Sequence, residues 1–89
     1  MIFYGESITV GATAVGIGST AKVPDLKEGF FTIEGGDVRY WLDGSTPTAS
    51  VGHLVTDGSS FSVMGNNNLR RLLMISTTGT VTVRGSYEK

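Results

Sequence analysis

Polar and apolar residues alternate with a period of two along most of this chain. Successive side chains of a strand point to opposite faces, so that period predicts half-buried β-strands. Ile8 and Val10 share one face of a first segment, with Ser7 and Thr9 on the other. Ala14, Val15 and Ile17 follow in a glycine-dotted stretch that reads as a short second strand or an irregular edge. Residues 18–28 read as a loop that Leu26 pins to the core and Gly29 ends. Phe31 and Ile33 then point inward, and Phe30, Thr32 and Glu34 outward. Gly35, Gly36 and Asp37 predict a tight hairpin, because glycine tolerates the positive φ that such a turn demands. Val38, Tyr40 and Leu42 line the core face of the returning strand, opposite Arg39, Trp41 and Asp43.

The pattern continues beyond a turn at residues 43–48. Val51, His53 and Val55 alternate with Gly52, Leu54 and Thr56, and Asp57 with Gly58 predicts another hairpin. Phe61 and Val63 face inward, opposite Ser60, Ser62 and Met64. Gly65, Asn66, Asn67 and Asn68 form a turn cluster. Residues 69–76 are apolar on both faces and read as a strand buried on both sides. Thr77, Thr78 and Gly79 turn the chain into a last strand over residues 80–84, after which Tyr87 caps the core. Seven to eight short strands without sustained helical periodicity predict one all-β domain over residues 1–89. The expected architecture is an antiparallel β-sandwich or flattened barrel, immunoglobulin-like or jelly-roll-like.

Some residues fall out of phase with such a core. Phe30 and Trp41 point outward, as does one set from Leu72 and Met74 or Leu69 and Leu73. If Phe30 and Trp41 pair across the hairpin at Gly35 and Gly36, they make an apolar patch on the wrong face. At ~25 cal/mol per Å², covering ~400 Å² of it contributes on the order of 10 kcal/mol gross. Phe30, Trp41, Leu72 and Met74 are therefore the candidate interface residues, covered by a second subunit or partner. The alternative is that the 18–28 loop, through Val23 and Leu26, folds over the patch.

Composition narrows the function. Seven Lys and Arg stand against eight Asp and Glu, a formal charge of -1, so there is no cationic surplus to displace counterions from phosphates, and no nucleic-acid partner is expected. No apolar run is long enough to cross a bilayer, and the first residues lack the basic flank and long apolar stretch of a signal peptide. With no cysteine there is neither disulfide nor thiolate site, which fits a reducing compartment.

Candidate chemistry is sparse. His53 is the single histidine, and catalysis or metal binding requires companions that the spacing does not supply. It reads as a half-buried strand residue bonded to a turn. Asp43 and Asp57 each precede a glycine, and each reads as bonding the amides of its own turn rather than holding calcium, which needs six or more oxygens. The glycines of residues 11–18 lack the Lys-Ser/Thr and helix start of a phosphate loop. No enzymatic activity and no cofactor are expected.

Two resemblances add to this reading. Residues 38–48, Val-Arg-Tyr-Trp-Leu-Asp-Gly-Ser-Thr-Pro-Thr, resemble a strand and turn of the small immunoglobulin-like modules appended to glycosidases. A wider likeness, from about Ile8 to Tyr87, is to small proteins of tailed bacteriophages. It rests on Thr13-Ala14-Val15-Gly16, on Phe31-Thr32-Ile33-Glu34-Gly35, on residues 39–48, on Val51-Gly52-His53-Leu54, and on Thr78-Gly79-Thr80-Val81-Thr82-Val83. Residues 69–75 depart from that pattern, lacking its phenylalanine or alanine.

The phage resemblance implies a virion structural protein made in the host cytoplasm: a capsid decoration protein, or a head–tail or tail component. It further implies a homo-oligomer, commonly a trimer, that contacts the major capsid or another virion protein. The glycosidase-module resemblance, with Tyr40 and Trp41, implies a carbohydrate- or surface-binding module instead.

Overall fold

The computed structural model describes residues 2–17 and 26–88, and the side chains of the first strand from Gly5 onward. These residues form seven strands and one short helix: β1 (Ile2–Val10), β2 (Glu28–Glu34), β3 (Val38–Trp41), β4 (His53–Val55), β5 (Ser60–Met64), α1 (Asn66–Arg71), β6 (Leu73–Ser76) and β7 (Val81–Glu88). Two antiparallel sheets result, one ordered β1-β7-β2-β5 and the other β4-β3-β6. The fold is an all-β sandwich, as the alternation predicts. Val15 joins the second sheet only through an isolated bridge to Met74, so the 14–17 stretch is an irregular edge. The expected loop loses its last residue to β2, and residues 18–25, including Val23, lie outside the described residues.

The core lies between the sheets. Val10, Phe31, Ile33, Val63, Val81, Val83 and Tyr87 from the larger sheet meet Val38, Val55 and Met74 from the smaller, with Leu26, Leu69 and Leu72 closing one cluster with them. Aromatic rings tie the layers together. Phe31 stacks on Phe61 at 5.0 Å, and Phe61 stacks on Tyr40 of the opposite sheet at 4.4 Å. The inward faces of Gly29 and Gly85 make room for the Phe31 ring. A Cβ on Gly85 would sit 2.9 Å from both Phe31 Cε1 and the Tyr87 hydroxyl, and one on Gly29 would sit 2.8 Å from Leu69 Cδ2. Tyr87 donates its hydroxyl proton to Glu6 Oε2, which satisfies both polar groups on the inner side of the β1–β7 pair.

Two expected hairpins are sheet-to-sheet crossings. Both edges of β2 are taken, by β7 and β5, so β3 has no place beside it and starts the other sheet. Gly35, at φ 101°, makes that bend, and its amide donates to Asp57 Oδ1 at 3.1 Å. The turn at Asp57 and Gly58 likewise carries the chain from β4 in one sheet to β5 in the other. Asp57 thus bonds a neighbouring crossover rather than its own turn, and its own amide donates to Asp37 Oδ1 at 2.8 Å.

Residues 69–76 are not one buried strand. Asn66 to Arg71 form the helix, with Leu69 and the following Leu72 three residues apart on its buried side, while Arg70 and Arg71 are exposed. Asn66 and Asn68 bond backbone carbonyls of Leu26 and Met64 through their side chains, which fastens this crossing. Leu72 (1% exposed) and Met74 (0%) are core residues, not outward interface residues. Met74 faces inward because Tyr40, its partner across β3 and β6, also faces the core. Leu69 is buried and Leu73 is half-buried, so neither set offers an open apolar row.

Candidate functional site

The outer face of the four-stranded sheet is built from the alternate residues of β1, β7, β2 and β5. Strand register sets its rows. Ser86, Phe30 and Ser62 stand side by side across three strands, with Gly5 beyond Ser86. One row toward the start of β2 are Glu88, Glu28 and Met64, and one row the other way are Ser7, Arg84, Thr32 and Ser60. Phe30 is 49% exposed and Met64 64%. They are diagonal neighbours, within reach of each other's side chains. The flanking glycine and serines are small, so the Phe30 ring stands clear of its surroundings. Glu28, Phe30, Ser62, Ser86 and Glu88 line an open groove of about 300 Å³.

Charge divides this face. On one side of the Phe30 row, Glu28 and Glu88 are cross-strand partners. The hydrogen bond between their carboxyl groups, with lesser contributions from desolvation and from the charge of Glu88, raises Glu28 above its ordinary value. On the other side, Arg84 Nη1 donates to Glu34 Oε1 at 2.6 Å.

Phe30 and Trp41 do not meet, because β2 and β3 belong to different sheets. Trp41 is half-buried on the opposite side of the molecule, packed edge-on against His53 at 5.1 Å. His53 also lies against the Tyr40 ring at 5.2 Å. It is exposed on β4, not half-buried as its alternation suggests. Burial raises the Tyr40 hydroxyl above its ordinary value. Asp43 accepts from the Ser45 amide at 3.0 Å, and that bond is the main cause holding its carboxyl below its ordinary value. Among the described residues no three His, Cys, Asp or Glu come together as a metal site would require, and no helix is long and apolar enough to cross a membrane.

The alternation places Met64 outward together with Ser60 and Ser62, so the signal for its exposure is present in the sequence. Glu28 and Glu88 are sixty residues apart, and only strand register brings them side by side.

Together these features define an all-β sandwich whose four-stranded sheet has an open, partly apolar outer face, with Leu54 and Val51 the exposed large apolar residues elsewhere among the described residues. No protein-family model, no curated protein and no solved structure matches the chain.

Proposed function

We propose that this chain is a structural building block, a virion protein of decoration type that binds the surface of a phage head as a homo-oligomer through the outer face of its four-stranded sheet. The observation that carries the reading is that the core closes without Phe30 and Met64, which remain together outside it. The phage-protein resemblance of residues 8–87 supplies the setting, and a head–tail or tail position uses the same surface.

The magnitudes favour repeated contacts. Phe30 and Met64 together leave on the order of 200 Å² of side chain bare, worth roughly 5 kcal/mol gross when covered. Association costs about 4–15 kcal/mol in lost freedom, so one such contact alone binds weakly. A lattice or symmetric oligomer repeats it and gains by avidity.

The test is sedimentation of tagged protein with phage particles on a density gradient. Wild type is expected to travel with particles and Phe30→Ser to stay at the top. Wild type absent from the particle band, or Phe30→Ser retained there, contradicts the reading.

A carbohydrate-binding module is the second reading. It is favoured by the exposed edge that His53 forms with the half-buried rings of Tyr40 and Trp41, since such rings stack on sugars. Glycan-array binding lost in Trp41→Ala would support it, and an array without hits would remove it.

A further inference from the structure

We infer that the free edge of β5 pairs with β5 of a second copy of this chain, antiparallel about a two-fold axis that passes between the two Phe61 residues, so that two four-stranded sheets join into one. This goes beyond the building-block reading by naming the contact between copies, and rests on that reading only for what the joined sheet is used for. The argument comes from the backbone groups at the sheet edges.

An outermost strand turns the N–H and C=O of every second residue away from its sheet, and natural edges are guarded against pairing by charge, shortness, bulges or cover. The outermost strands here are β1 and β5 of the larger sheet and β4 and β6 of the smaller. β1 carries an inward-pointing charge at Glu6 and a register shift between Ile2 and Tyr4. β4 is three residues long. β6 is covered at Met74, whose amide and carbonyl both bond Val15, at 2.8 and 2.9 Å. β5 has none of these devices among the described residues. From Gly58 to Leu69 the chain has no charged residue and no proline, and the β2–β5 register runs without a shift from Ser60 to Met64.

The bonds at both ends of β5 set the phase of its edge. The Ile33 amide donates to the Ser59 carbonyl at 3.2 Å, and the Gly65 amide donates to the Lys27 carbonyl at 2.6 Å. Ser59, Phe61, Val63 and Gly65 therefore turn their backbone groups toward β2, and Ser60, Ser62 and Met64 turn theirs away from it. Asn68 Nδ2 already bonds the Met64 carbonyl at 2.9 Å, which leaves Ser60 and Ser62 as the open stretch. Any extended chain can pair there, and the side chains choose the mate. With β5 of a second copy, Ser60 lies opposite Ser62 on the outer face, and each such pair exchanges both backbone bonds. Phe61 lies opposite Phe61 on the inner face. Its ring is half-buried, stacked on Phe31 and Tyr40, and because β5 is outermost the side left bare looks to the free edge. A second Phe61 covers that side with an aromatic cross-strand pair. The axis stands perpendicular to the sheet, so the Phe30 and Met64 patches of both copies lie on the same side, and whatever covers the face engages two of them at once.

Proline separates this contact from any other. The Ser62 amide points away from β2, so Ser62→Pro leaves the ladder within the sheet whole and removes a donor only from the free edge. Sedimentation equilibrium should show a wild-type dimer, with the dissociation constant raised at least about tenfold in Ser62→Pro, and circular dichroism checks that the variant folds. Ser60→Lys with Ser62→Lys, which keeps every backbone group, should weaken the dimer likewise. Hydrogen exchange at the Ser60 and Ser62 amides, read by NMR, should slow at least about tenfold as the protein dimerises. The chain has no cysteine, so introduced thiols report the register. Ser60→Cys mixed with Ser62→Cys should cross-link to each other on oxidation in preference to themselves. A wild-type monomer or trimer, a dimer that both edge variants leave at wild-type strength, serine amides that exchange equally fast in monomer and dimer, or a preference for self-cross-links overturns the pairing. A wild-type monomer that still travels with particles does so while leaving the building-block reading standing. An edge-paired dimer absent from particles has the opposite consequence.

Discussion

The two outer faces of this sandwich begin alike and end differently. Each carries an aromatic residue out of phase with the core, Phe30 on the four-stranded sheet and Trp41 on the three-stranded one. On the smaller sheet the chain supplies part of its own cover. Arg39, beside Trp41, donates from Nε to the carbonyl of Ala49 at 3.1 Å and from Nη1 to that of Gly52 at 2.9 Å. These bonds draw the loop between β3 and β4 back onto the sheet, and Pro47 within it is buried. Gly52 lies so close that a Cβ there would be 3.2 Å from Arg39 Cβ and 3.3 Å from Pro47 Cβ. Over Phe30 there is no equivalent device among the described residues, and its strand neighbours are serines. An aromatic residue out of phase is thus a question about cover, and the answer depends on whether a loop has something to hold.

The largest effect that sharpens this contrast is in the core. Leu72→Ala or Met74→Ala should cost about 2–5 kcal/mol in urea unfolding, because each leaves a cavity. Phe30→Ser should cost less, about 1 kcal/mol, because half of the residue is already exposed. Equal losses for Met74→Ala and Phe30→Ser would break the distinction between inner and outer apolar residues. Next, Gly85→Ala should cost about 1–3 kcal/mol, since the added methyl overlaps Phe31 and the Tyr87 hydroxyl. At Gly11 nothing lies near an added Cβ, so the same change there should have little effect.

Arginine substitutions compare the faces directly. Arg39→Ala removes two charge-assisted bonds that hold the covering loop and should cost about 1.5–3 kcal/mol. Arg84→Ala removes one exposed ion pair and should cost no more than about 1 kcal/mol in the dilute protein. The smallest effects are in pH dependence, where the two faces differ in sign. Asp43, beside the covering loop, has its carboxyl held low by the Ser45 amide, so its contribution is present above the unfolded carboxyl range and fades as pH falls through its lower folded value. Glu28 on the open face is raised by its bond to Glu88. Its contribution is therefore complete below the unfolded range and is lost as pH rises through its higher folded value. Urea midpoints measured against pH should lose the first trend in Asp43→Asn and the second in Glu28→Gln.

Much of this molecule is legible from period-two alternation alone. The inward sets Phe31 and Ile33, Phe61 and Val63, and Val81 and Val83 all follow from it, as does the outward placement of Phe30 and Met64. Connections are not legible in the same way. A glycine turn such as Gly35 and Gly36 serves a hairpin or a crossing equally well, and the choice is made by β7 and β5 occupying both edges of β2. Residues 66–72 mislead for a related reason. Leu69 and Leu72 bury one side of a helix too short for its period to stand out, and the following strand continues the apolar run. The acid pair on the open face joins residues near the start of β2 and the end of β7, a proximity that local sequence does not encode.

The claim that the Phe30 face is built to be covered is tested most directly by hydroxyl-radical footprinting at rising protein concentration, read by mass spectrometry. The account predicts that Phe30 and Met64 lose reactivity as the protein associates, while Leu54 and Trp41 on the other sheet keep theirs. Undiminished oxidation of Met64 in the associated protein, with protection appearing at Leu54 or Trp41 instead, would contradict it.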